Sequence, residues 1–159
     1  MNLRNWFYQN WKNSLIYLDL FFAFLGIVLS LMDLKTRKVS LVLIYSYVFI
    51  FSIFYCDILI QYFYGIGFNL IMYFICRLIS RGGLGSGDIH YSICVAIFLK
   101  GSIILILISN LISSLIGILV FLALLIIKGK MIIKYRIPFV PFMFFGSCIA
   151  RILENVVQL

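Results

Sequence analysis

From Asp88 to Ile127 the chain runs for forty residues with one basic residue, Lys100, inside the run. A helical membrane span needs about 20 predominantly apolar residues, so this stretch holds about two. Three similar runs precede it, at residues 15–32, 39–56 and 58–79. A backbone in lipid must satisfy its own hydrogen bonds, which leaves helices or closed barrels. Barrel strands alternate apolar and polar residues, whereas these runs are continuous, so helices are the expected form. The composition agrees: 65% of residues are hydrophobic and 11% charged, against about 25% charged in soluble domains. The expected architecture is an all-α, polytopic membrane protein, with residues 1–159 forming one bundle of about six transmembrane helices.

Residues 1–14 are polar and interleaved with Trp6, Phe7, Tyr8 and Trp11 beside Arg4 and Lys12, a mixture that suits the bilayer interface. The first span, 15–32, is too long for a secretory leader, and no small-x-small cleavage site follows it. Asp19 lies near its outer end and reads as structural. Asp57 marks a very short turn between the second and third spans. Gln61, Gly65, Gly67 and Asn69 lie inside the third, where small and polar residues point to close helix packing. The long run beginning at Asp88 is expected to break at Lys100-Gly101, which leaves a short fourth helix. Ser109-Asn110 is the alternative break. A basic loop from Lys128 to Arg136 leads through Pro138 and Pro141 into a final span ending near Val157.

The formal charge of +8 is no nucleic-acid signal, because the basic residues sit in short loops between apolar runs. Loops after the first, third and fifth spans hold Lys35, Arg37, Lys38, Arg77, Arg81, Lys128, Lys130, Lys134 and Arg136, nine in all; the other side holds Arg4, Lys12, Lys100 and Arg151, four. The positive-inside rule then makes the odd-numbered loops cytoplasmic and puts both termini outside. Cys56, Cys76, Cys94 and Cys148 lie singly in apolar segments without ligand spacing, so they read as packing thiols, and neither a metal nor a cofactor is expected.

Against this background Arg81-Gly82-Gly83-Leu84-Gly85-Ser86-Gly87-Asp88-Ile89-His90 stands out: four of eleven glycines and one of five acids. Glycine allows positive φ and close backbone approach. A carboxylate directly after such a loop, at membrane depth, is costly unless something uses or pairs it. The plain alternative is an interhelical turn with Asp88 as N-cap. Asp33 closes the first span on the same boundary, in Asp33-Leu34-Lys35-Thr36-Arg37-Lys38, where pairing with Lys35 or Arg37 is the plain alternative. Brought together, two aspartates share a proton and titrate as a unit. One can then take a proton from water while the other protonates the leaving group. Asp88 at a helix N-terminus is favoured as the anion by the macrodipole and Asp33 at a helix C-terminus is not, which would make Asp88 the base and Asp33 the proton donor.

Gly85-Ser86-Gly87-Asp88 fits the Gly-x-Gly-Asp signature of membrane aspartyl proteases, and its surroundings resemble the type IV prepilin peptidase family. In that family a first aspartate is followed by a basic loop, as in the 33–39 segment here. A Gly-Gly-x-Gly-x-Gly-Asp loop follows about sixty residues later, as from Gly82 to Asp88. A Pro-Phe-Gly-Pro-Phe element lies near the C-terminus, resembled here by Pro138-Phe139-Val140-Pro141-Phe142. The chain departs from the pattern at Val39-Ser40-Leu41, where the family usually has Ile-Pro-Asn, at His90 in place of lysine, and at Val140 in place of glycine. His90 brings a group that titrates near neutrality, with a packing or headgroup-facing role as its plainer reading.

The resemblance implies a catalytic pair, Asp33 and Asp88, in a loop supported by Gly82, Gly83, Gly85 and Gly87. It implies Lys35, Arg37, His90, Pro138, Phe139 and Pro141 as candidates for lining the site or meeting substrate. The substrate would be a type IV prepilin-like precursor, cut after its basic leader at the cytoplasmic face of a bacterial or archaeal inner membrane. The form would be the minimal six-span one without a cysteine-rich cytoplasmic domain, and no N-methylation is assigned. The competing classes are a small transporter, whose acids would lie near mid-bilayer in two repeated halves, and a non-catalytic subunit of a pilus or secretion assembly. Partners other than substrate and lipid, and the oligomeric state, are not legible.

Overall fold

A computed structural model describes residues 3–54, 59–80, 84–128 and 138–157; for 3–15, Phe54, Leu59, Gln61, Lys128 and Val157 it describes the backbone alone. Gly82, Gly83, the Asp57 turn and most of the basic loop before Pro138 therefore lie outside the described residues. The described chain is helical throughout, in six elements: α1 (Leu3–Thr36), α2 (Leu41–Phe54), α3 (Leu59–Ile79), α4 (Ser86–Phe98), α5 (Ile103–Lys128) and α6 (Val140–Val157).

Three described stretches are long and apolar enough to cross a membrane: Ile16–Thr36, Tyr62–Ile79 and Ile103–Ile127. Thus the helix number matches the sequence expectation while the lengths are uneven. α2 has 14 residues and α4 has 13. Large apolar side chains face outward along every long helix, including Leu20, Phe24, Phe63, Ile71, Leu111, Leu119 and Ile126. A surface this apolar is far beyond the patches that soluble monomers expose; it suits a lipid solvent.

α1 differs from the expected interfacial segment followed by a span. No glycine or proline interrupts it before Gly26, so residues 3–36 continue as one helix of about 50 Å, at 1.5 Å per residue. Its end also shifts: Asp33 lies in the last helical turn, not in the loop. Arg37 adopts φ 54° and its N–H donates to the Asp33 carbonyl at 2.9 Å, closing α1 with a left-handed cap.

α4 is the hub, packed against α1, α2, α3 and α6. Tyr91, Ser92, Cys94, Val95, Ala96, Ile97 and Phe98 are all buried on it. It stops where the sequence predicts. The N–H of Lys100 donates to Ile97 O at 3.0 Å, and that of Gly101 to Ala96 O at 2.9 Å, with both residues at positive φ. That pair of bonds is a Schellman turn. Gly65 of α3 lies directly against it: a Cβ there would sit 2.3 Å from the Gly101 carbonyl oxygen.

α3, α4 and α5 are joined by a buried amide chain. Tyr73 Oη donates to Asn110 Oδ1 (3.1 Å), Asn110 Nδ2 to Asn69 Oδ1 (2.9 Å), and Asn69 Nδ2 to Ser92 O (2.8 Å). Interhelical bonds of this kind average about 0.6 kcal/mol each in membrane bundles. Asn69 and Gly65 thus act in packing, as expected of that run, whereas a Cβ on Gly67 would meet nothing. α5 and α6 approach closely at Gly146, whose Cβ would fall 2.7 Å from Ser109 O.

Candidate active site

Asp33 and Asp88, 55 positions apart, line one cavity of about 330 Å³. Both are buried, at 5% and 7% exposure, a placement that demands compensation in a low dielectric. Arg37, Lys38, Val39, Leu41, Gly85, Ser86, Gly87, Pro138 and Phe139 complete the lining. The walls come from the end of α1 and its connection to α2, from the first turn of α4, and from the approach to α6.

Asp88 is the third residue of α4, and its Oδ2 accepts the Gly85 N–H at 2.8 Å. This is one half of a capping box, with Gly85 rather than Asp88 as the N-cap. The plain turn reading of Asp88 is therefore right about capping and wrong about position. Gly85 has φ −68°, so its glycine serves no positive-φ turn. Gly87 has a different reason: a Cβ there would lie 2.8 Å from both Cβ and Cγ2 of Val39. Its missing side chain lets the segment after α1 close onto α4, which brings the two aspartate-bearing elements to one cavity.

Asp33 ends α1 through its backbone, yet its carboxylate serves another helix. The Val140 N–H, first in α6, donates to Asp33 Oδ2 at 3.2 Å. That N–H is one of the four amides a helix start leaves without an internal partner. Phe139 O accepts from the N–H groups of Phe142 and Met143, which makes Phe139 the N-cap of α6. Pro141 then occupies the second helical position, where its missing N–H costs nothing. This arrangement offsets the macrodipole argument for unequal roles, because Asp33 meets the start of α6 as well as ending α1. Both carboxylates accept an amide from a helix start, Asp88 on α4 and Asp33 on α6, and Asp33 also sits at the C-terminal end of α1.

Of the other candidates, Arg37, Pro138 and Phe139 line the cavity, as do the loop glycines Gly85 and Gly87. Lys35 is exposed and Pro141 is buried under the lining, and neither reaches it. His90 is also outside: its Nδ1 lies 2.9 Å from Tyr45 Oη, tying α4 to α2. Two residues on from Asp88, His90 thus packs against α2 rather than into the cavity. Lys38, Val39, Leu41 and Ser86 line the cavity as well without being singled out by any motif; all but Leu41 lie within six positions of Asp33 or Asp88.

The opposite end of the bundle holds a second charged group. Arg151 bridges Asp19 (Nη2–Oδ2, 3.1 Å) and Glu154, and Lys100 Nζ meets Glu154 Oε1 at 2.9 Å. Asp19 is thus ion-paired, in line with its structural reading. Among the described residues no group of three or more His, Cys, Asp or Glu side chains could hold a metal ion. Compared with protein-family models, with curated proteins and with solved structures, the chain matches none.

Proposed function

We propose that the chain is a membrane aspartyl endopeptidase that removes the leader of type IV prepilin-like precursors. The observation that supports this most is the shared cavity: two buried aspartates from distant helices line it together. The reaction needs one carboxylate to take a proton from water as the water attacks the peptide carbonyl, and one carboxylic acid to protonate the departing amine. Arg37 and Lys38 at the cavity offer donors for peptide carbonyl oxygens, and Phe139 gives an apolar wall. On the basic-loop count, the proposed orientation puts the cavity at the cytoplasmic face of a bacterial or archaeal inner membrane.

The decisive experiment incubates the purified full chain with a prepilin-like peptide, beside Asp33→Asn and Asp88→Asn. Cleavage by the wild type and its loss in each variant is the expected result. Cleavage that survives either substitution, or a wild type that never cleaves, ends the proposal. Accessibility labelling of single cysteines at positions 34 and 86 tests the geometry separately; labels from opposite sides of the bilayer would be incompatible with it.

A further inference from the structure

A second cavity, of about 440 Å³, opens at the end of the bundle remote from Asp33 and Asp88. Its lining combines Asp19, Lys100, Arg151 and Asn155 with Ile16, Leu20 and Phe98. Asp19 and Asp33 are fourteen residues apart on α1, so the two levels are separated by about 21 Å along the helix. Ile16 and Leu20 are 52% and 62% exposed on the outer, lipid-suited surface. The cavity therefore joins a charged floor to an apolar outer wall.

The cations there have donors to spare. Among the described residues, Arg151 uses two of its five N–H groups, on Asp19 and Glu154, and Lys100 uses one of its three, on Glu154. Asp19 and Glu154 balance the two cations, so the cluster is neutral overall; what it offers the cavity is N–H donors, since Lys100 and Arg151 line it and Glu154 does not. The Arg151 guanidinium is held in place over the Phe98 ring, 5.6 Å from its centroid. Lys100 is placed at a backbone cost: it occupies the left-handed position of the Schellman turn, φ 55°, where glycine is the ordinary choice. Strain of this kind at a lining cation points from geometry towards use.

We propose that this cavity binds the headgroup of a membrane phospholipid. The phosphate diester accepts from Lys100 and Arg151, and an acyl chain lies along Ile16 and Leu20. The phosphate supplies the acceptor oxygens that the spare donors of Lys100 and Arg151 call for. The apolar wall selects a lipid over a free phosphate ion. The site is independent of the peptidase reading, since its cavity shares no residue with that of Asp33 and Asp88.

The test follows thermal unfolding of the purified full chain in a neutral maltoside detergent, titrated with phosphatidylglycerol. Parallel titrations use diacylglycerol with the same chains and inorganic phosphate. Phosphatidylglycerol is expected to raise the midpoint in a saturable way, with the other two giving no shift. Lys100→Gly removes the cation and relieves the backbone, so its lipid-free midpoint should equal or exceed that of the wild type while its apparent lipid affinity falls about fivefold or more, the scale of one phosphate contact. Three results would overturn the proposal: an equal response to diacylglycerol, which would mean acyl packing alone; a response to inorganic phosphate alone; or an undiminished lipid response in Lys100→Gly. Absence of any phosphatidylglycerol shift would overturn it as well.

Discussion

Where α1 passes Asp19, two carboxylates lie against the cations of Arg151 and Lys100; where α1 stops, two others, Asp33 and Asp88, face a cavity and accept backbone amides from the starts of α6 and α4. The four acids sit in the same small bundle, about 21 Å apart by helix rise. At the first end each carboxylate is in direct contact with a cationic side chain, an arrangement that ties α1, α4 and α6 together. At the second, fixed amide dipoles hold carboxylates at a space large enough for other molecules. Ion pairs at one end tie helices together, and at the other helix-start amides meet carboxylates that line a cavity. The difference lies in the backbone amides that meet Asp33 and Asp88, since all four acids are carboxylates.

The strongest way to break this contrast is to remove one carboxylate charge at each end. Asp33→Asn or Asp88→Asn should lower prepilin-peptide cleavage by at least about 10²-fold, the usual scale for a lost acid or base. Asp19→Asn should leave the cleavage rate near that of the wild type. Initial rates measured on detergent-purified proteins with matched unfolding midpoints check this. A loss in Asp19→Asn as large as in the other two would erase the distinction between the ends.

How much of this could be read from the sequence differs from feature to feature, for physical reasons. Span positions and the break at Lys100-Gly101 were legible, because apolar runs and a glycine at a helix end are local signals. The meeting of Asp33 with Asp88 was legible as an expectation, from their shared boundary and the glycine loop. Capture of the Val140 N–H by Asp33 was not: it joins residues 107 apart, and no local pattern announces which helix start lies beside which helix end. The same holds for Val39 against Gly87. The glycine was visible, but its use is steric and between distant segments of the chain, not the conformational freedom a turn would need. His90 went to Tyr45 for a related reason, since side-chain direction depends on which helix packs alongside.

Gly87→Ala sharpens the comparison at the cavity end. Its new Cβ would collide with Val39, so the connection after α1 must move away from α4. Overpacking of this kind typically costs about 1–3 kcal/mol. Cleavage should fall further than stability explains, because a displacement of 1 Å in a catalytic group can cost about 10²-fold. Val39→Gly in the same chain removes the opposing Cβ and should recover much of the rate. If the double variant is no better than Gly87→Ala alone, the contact with Val39 is not what unites the two aspartates.

At the ion-paired end the corresponding change is Arg151→Met, which keeps the chain's bulk over Phe98 and removes both ion pairs. Breaking a fully buried pair costs about 3–5 kcal/mol. Here Asp19 is 34% exposed at its side chain, so water can take over part of the guanidinium's role. A loss of about 1–3 kcal/mol in unfolding free energy is expected, with cleavage by the folded fraction unchanged. A variant of undiminished stability would show that the paired acids do not clamp the helices.

The smallest expected effect lies in a feature the two ends share. Among the described residues only Arg37 and Lys100 have positive φ without being glycine, and each is a cation closing a helix beside a cavity. A non-glycine residue pays about 1–2 kcal/mol for that conformation, while glycine brings roughly 0.5–1 kcal/mol of extra chain entropy to be lost. Relief of that strain should offset part of what Arg37→Gly loses with the side chain, leaving unfolding free energy within about 1 kcal/mol of the wild type by denaturant unfolding, while KM for the peptide rises through loss of a donor at the cavity. A rise in KM without a matching loss of stability is what a residue kept for its side chain at the cavity produces. If Arg37→Gly lowers stability and leaves KM untouched, the arginine serves the helix end alone, and the parallel between the two strained cations fails at the acid cavity.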